Sequence, residues 1–147
     1  MGIMVIETEV IFKLVISVVI GGLIGWEREH VPVPAGLRTH MMVSLGAAMF
    51  SIIAVAGFGI DGSRVVQGVV TGIGFLGAGT IFKERNRVTG LTTAASLWTT
   101  TAIGVAVGIG LFQAAIVTTI LVIAILELNK LQKGKMNYKA PKRQKAA

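Results

Sequence analysis

Cysteine is absent from this chain, which removes disulfides, thiolate nucleophiles and Cys-based metal sites together. Charge is scarce as well: 14% of the 147 residues are Asp, Glu, Lys or Arg, against about 25% in an ordinary soluble domain. So few charges cannot clothe a water-facing surface. The two histidines, His30 and His40, are too few for a His-rich metal cage. Acidic residues number 7 against 14 basic ones, a formal charge of +7. Half of the basic residues lie between Lys130 and Lys145, so the excess belongs to a tail and does not argue for nucleic acid. There is no Ser/His/Asp grouping or metal-ligand set suited to hydrolysis. Neither an enzyme nor a cofactor is expected.

What is abundant is apolar surface. Hydrophobic residues make up 53% of the chain and mean hydropathy is +0.77. Lipid must cover what charge does not. Nineteen glycines suit membrane helices, where small residues let backbones approach closely. The expected architecture is all-α, a polytopic bundle of about five transmembrane helices.

A spanning helix needs about 20 mainly apolar residues. Runs at 10–26, 41–60 and 65–82 meet that need, the first with only Lys13 near its outer end. The leader carries Glu7 and Glu9 in place of basic residues, which argues against a signal peptide. Val88 to Leu126 holds no charge over thirty-nine residues. As one helix it would measure about 60 Å, twice the hydrocarbon thickness. It must fold back, and Gly108-Ile109-Gly110 is the natural turn. Spans four and five are therefore read as 91–107 and 111–128. Residues 1–129 form the transmembrane domain and 130–147 a basic tail.

Basic residues in short loops set orientation. Arg28, Arg38, Lys83, Arg85, Arg87 and the seven of the tail lie on one side; Lys13 and Arg64 lie on the other. Twelve against two predicts the N-terminus outside and the C-terminus in the cytoplasm.

Gly72-Ile73-Gly74-Phe75-Leu76-Gly77 fits the dinucleotide pattern G-x-G-x-x-G. It lies inside an apolar run, however, without the acidic ribose ligand about 20 positions on that such a site requires. Packing is the better reading. Gly68, Gly72 and Gly79 share one stripe of a helix, and Gly74 and Gly77 lie on the other side, which puts span three at the centre of the bundle. Gly21/Gly25 and Gly104/Gly108 offer further i, i+4 pairs. Small-residue faces of this kind suggest a homo-oligomer, with a dimer the simplest.

Between spans one and two, the prolines of Val31-Pro32-Val33-Pro34 break the helix and bring Glu27, Arg28, Arg38, Thr39 and His40 into one interfacial neighbourhood. These residues are either stop-transfer charges or a functional group. Pairing of Glu27 or Glu29 with Arg38 would offset desolvation. Asp61 is read as an N-cap of span three beside Arg64, or as a cation ligand at the outer mouth. Any metal ligand would be Glu27 or Asp61, although a single carboxylate is thin for Mg²⁺. Lys83, Arg85 and Arg87 form a basic loop able to meet a lipid phosphate or an acidic partner. Beyond it, Thr92, Thr93, Ser96, Thr99, Thr100 and Thr101 can bond a neighbouring helix or their own i−4 carbonyls. The tail should lie along anionic headgroups.

Three stretches together resemble the MgtC/SapB family of bacterial membrane proteins. They are Gly25-Trp26-Glu27-Arg28-Glu29 with Pro34-Ala35-Gly36-Leu37-Arg38-Thr39-His40; Asp61-Gly62-Ser63-Arg64 with the glycines from Gly72 to Gly79; and Gly90-Leu91-Thr92-Thr93-Ala94-Ala95 with Trp98. They stand in the family's order over roughly residues 15–128. The resemblance implies a five-span inner-membrane protein linked to growth at low Mg²⁺ and, in pathogens, to survival in macrophages. It also implies action on ATP synthase membrane subunits and not transport of Mg²⁺. The family's best-studied members have a soluble ACT-like C-terminal domain; the short basic tail here implies a form without it. The expected function is a non-enzymatic regulator, with a small divalent-cation transporter or channel as the alternative.

Overall fold

The computed structural model describes the backbone of residues 2–58, 62–85 and 87–138, and the side chains of residues 7–57, 62–83, 85 and 87–128. Over these residues the chain forms α1 (Gly2–Glu29), α2 (Leu37–Phe58), α3 (Gly62–Gly79), a hairpin of β1 (Phe82–Glu84) and β2 (Arg87–Thr89), α4 (Leu91–Gly108) and α5 (Phe112–Tyr138). The helix breaks are chemical. α1 stops just before the proline-bearing link, where the Val31 amide closes a last turn on the Arg28 carbonyl at 3.1 Å. α2 starts where the Glu29 carboxylate accepts the Leu37 amide at 2.8 Å, an anion at the positive end of a helix dipole.

The fold-back after α4 falls at the glycine pair foreseen. Gly110 adopts φ 91°, its amide bonds the Val107 carbonyl, and the Leu111 amide bonds Ala106. That is a Schellman ending, which uses the left-handed region that glycine enters freely.

Three helices are long and apolar enough to cross a membrane: Glu7–Glu29, Leu37–Gly57 and Leu91–Gly108. Phe112–Leu128 is apolar and shorter. α3 has the length, 18 residues, but its glycines, Arg64 and Gln67 dilute its hydropathy. The outward faces suit lipid. On α1, for example, Ile11, Val15, Val19 and Leu23 recur at helical spacing and are all more than half exposed.

Two expectations need correction. Span three does not run to Phe82. α3 ends at Gly79, and the segment predicted as a basic loop is an antiparallel ribbon pairing Phe82 with Thr89, Lys83 with Val88 and Glu84 with Arg87. Gly90, at φ 88°, closes that ribbon so tightly that a Cβ there would collide with the Thr80 carbonyl. Nor is α3 central. It packs along α2 and α4 at the margin, and α2 is instead the helix clasped between α1 and α4.

The clasp is made by the glycine pairs outside span three. A Cβ on Gly21 would lie 2.6 Å from the His40 carbonyl oxygen, and one on Gly25 2.7 Å from Leu37 Cα. On the other flank, a Cβ on Gly108 would lie 2.5 Å from the Ala48 carbonyl oxygen, and one on Gly104 would strike the carbonyl of Ser44. By contrast, nothing lies within 4 Å of a Cβ added at Gly68, Gly72, Gly74 or Gly79, and Gly77 alone meets Ala94. Two clusters of buried apolar side chains form among the described residues. Ile20, Ile24, Ile103, Val107, Val122 and Leu126 join α1, α4 and α5, and Ala35, Ile73 and Leu97 sit beneath the α2/α3 margin.

α5 continues to Tyr138 without a break at residues 129–130. The tail side chains from 129 onward, residues 139–147 and Asp61 lie outside the described residues.

Candidate functional site

Among the described residues, the buried charged side chains and a buried histidine gather where α1 ends and α2 and α4 begin. Glu27 and Arg28 are both buried, 7% and 3% exposed. They pair with each other in a two-point contact: Arg28 Nη2 donates to Glu27 Oε1 at 2.8 Å, and Nε donates to Oε2. Consecutive helical residues do not ordinarily face one another; here the guanidinium folds back because burial leaves each charge in need of a partner. The expected pairing of Glu27 or Glu29 with Arg38 is not what forms. Glu29 is engaged by the Leu37 amide, and Arg38 is exposed without an ion pair among the described residues.

His40 is fully buried one turn into α2. Its Nδ1 lies 2.9 Å from the Gly36 carbonyl, which can only accept, so Nδ1 carries a proton. Its Nε2 lies 3.1 Å from Ser96 Oγ on α4, and Ser96 Oγ is also 2.8 Å from the Thr93 carbonyl. Ser96 has one hydrogen to give. With neutral imidazole it donates to Nε2; with imidazolium it receives from Nε2 and donates to Thr93. The His40–Ser96 bond ties two helices across 56 residues of sequence.

From His40 a row of small polar side chains runs along the α2/α4 seam. Ser44 stands where the Gly21 and Gly104 approaches converge, so three helices meet at it. Ser44 Oγ and Thr100 Oγ1 are buried with no hydrogen-bond partner. Three other hydroxyls of these helices turn to their own backbone: Thr99 to Ala95, Thr101 to Leu97 and Ser51 to Ala47, at 2.8–2.9 Å. Sequence reasoning passed over Ser44. One serine in an uncharged run carries no signal until the facing helix is known.

The remaining candidates are dispersed. Thr93 is buried beneath the junction, Thr92 is exposed, and Thr39 is half-buried facing a groove between α2 and α3. Arg64 is exposed on the first turn of α3, at the far end of the molecule. Lys83, Arg85 and Arg87 are exposed on the ribbon, with Arg85 at its tip in the left-handed region, φ 30°. Among the described residues there is no group of three His, Cys, Asp or Glu that could hold a metal ion.

The MgtC family matches residues 14–133 of the chain. The chain is 39% identical over 129 residues to the Escherichia coli (strain K12) protein named "Putative magnesium transporter YhiD", covering 82% of this chain and 60% of that one. It is 49% identical over 107 residues to Protein MgtC of Brucella abortus, covering 72% of this chain and 45% of that protein. Protein MgtC of Salmonella typhimurium is 42% identical over 113 residues, 77% of this chain and 49% of its own length. The chain thus spans about half the length of the relatives it matches. No solved structure matches it. With its apolar helices, the buried polar junction and this match over most of its length, the chain belongs to the MgtC family of multi-pass membrane proteins.

Proposed function

We propose that this MgtC-family protein is a non-enzymatic regulator of bacterial adaptation to low magnesium, acting in the inner membrane by binding other membrane proteins. The observation that carries this reading is the closed seam around α2. Glycine-to-backbone approaches on both flanks bring α1 and α4 into close contact with α2, and both oxygens of the Glu27 carboxylate are taken up by Arg28. The arrangement is a rigid body with apolar outer faces and a basic end, suited to helix-against-helix recognition. The family resemblance makes ATP synthase membrane subunits the first partner to test. The twelve-to-two charge asymmetry supports a cytoplasmic position for the basic end that carries Arg38 and the ribbon.

The test is capture of the detergent-solubilised protein from native membranes, followed by identification of what co-purifies. Stoichiometric recovery of ATP synthase membrane subunits is expected. Recovery of the protein with no other membrane protein overturns the reading.

A second reading, transport of a divalent cation, draws on the name of the Escherichia coli relative and on the unpartnered Ser44 and Thr100 hydroxyls inside the seam. Proteoliposomes loaded with a Mg²⁺ indicator separate the two. Flux that is lost in Ser44→Ala supports transport, and the absence of flux from correctly folded protein removes it.

A further inference from the structure

The α2/α3 margin contains a groove that the regulator reading does not use. Its main part is a cavity of about 630 Å³ lined by Gly46 and Phe50 of α2 and by Gly68 and Gly72 of α3, with no charged residue in its wall. A second cavity of about 360 Å³ reaches Pro34, Gly79 and Thr80 at the basic end. The two share Thr39 and Leu76 and so form one slot. From Thr39 to Phe50 is eleven residues of helix, about 16 Å. That is close to half of a hydrocarbon core about 30 Å thick, so the slot has the depth of one leaflet.

The two ends of the slot differ in chemistry. Toward mid-membrane it is apolar. At the basic end its wall includes Thr39, next in sequence to the exposed Arg38, and Thr80, from which the chain enters the ribbon carrying Lys83, Arg85 and Arg87. Among the described residues none of these four cations has an ion pair, and the nearby Glu29 is occupied by the Leu37 amide. Apolar along one leaflet and cationic at its headgroup level is the complement of a single anionic phospholipid. The three glycines at 68, 72 and 79, whose Cβ positions meet nothing within the chain, then have a role that protein packing does not give them. At Gly68 and Gly72 the missing side chains are what leaves the slot open.

We propose that the α2/α3 groove binds one anionic phospholipid from the leaflet at the basic end. Its acyl chain lies along Gly46, Gly68 and Gly72, and its phosphate is met by Arg38 and the ribbon cations. This inference does not depend on which partner or activity the protein has.

Native mass spectrometry of the full chain, released from nanodiscs of equal phosphatidylglycerol and phosphatidylcholine, tests it. The expected result is one retained lipid per chain, with phosphatidylglycerol preferred. Arg38→Gln should weaken that preference about fivefold, the effect of one basic residue near an anionic surface. Gly68→Leu and Gly72→Leu should remove the bound lipid while leaving the helical circular dichroism intact, because their Cβ positions are unobstructed. Equal retention of the two lipids overturns the proposal. So does retention unchanged in Gly68→Leu and Gly72→Leu, or a dimer mass in place of the lipid that those substitutions abolish.

Discussion

Arg28 is the residue with the most to lose. A guanidinium 3% exposed is stable only while Glu27 holds it. Removing one partner of a buried pair costs about 3–5 kcal/mol, because the other charge stays buried and alone. Glu27→Gln should therefore lower the thermal midpoint of the detergent-solubilised protein markedly, and Glu27→Gln/Arg28→Met should recover most of the loss. An equal loss in both variants would mean that the pair is not what stabilises this junction. Ser44 predicts the opposite sign. Its buried hydroxyl has no partner, so Ser44→Ala should raise the midpoint by up to about 2 kcal/mol of stability. A fall would reveal a bonded water or ligand at that hydroxyl. His40 and Glu27 were visible in the sequence as ionisable groups near a membrane boundary. Their partners were not, because Ser96 lies 56 residues away and Arg28 is a position that helical geometry normally turns aside.

Glycine spacing identifies helices that can pack closely but does not say which of them do. The i, i+4 pair occurs on α1, α3 and α4, and only those of α1 and α4 face another backbone. Gly108→Ala should force α4 off α2 at a cost of about 1–3 kcal/mol, the usual penalty for overpacking. Gly74→Ala meets nothing and should be neutral, or more stable by up to about 1 kcal/mol from helix propensity. Parallel thermal melts of the two variants check this, and equal destabilisation would restore α3 to the centre. The ribbon at 82–89 was hidden for another reason. Its strands are three residues each, and the basic residues that marked it as a loop also sit comfortably on an exposed two-stranded turn.

At the scale of the whole molecule, the charge asymmetry makes a prediction that the missing cysteines render easy to test, since any introduced thiol is unique. Arg85→Cys on the ribbon should react with a membrane-impermeant maleimide only after cells are opened. Leu111→Cys, exposed at the α4/α5 turn, should react in intact cells whose outer layers admit the reagent. The reverse pattern would invert the bundle and place the basic end outside.

The sequence by itself determined the solvent, the all-helical class, the fold-back at Gly108-Ile109-Gly110 and, through an ordered set of motifs, the family. The first three follow from single residues or short windows: hydropathy is a property of one side chain, and the left-handed turn needs one glycine. Only the tertiary structure decided that α2 is the clasped helix, that Arg28 answers Glu27, that His40 reaches Ser96, and that Gly68, Gly72 and Gly79 of α3 border an open groove. Those are properties of pairs of surfaces, fixed by which helices approach to backbone contact. Every apolar helix with small residues offers the same invitation until one of them is taken up.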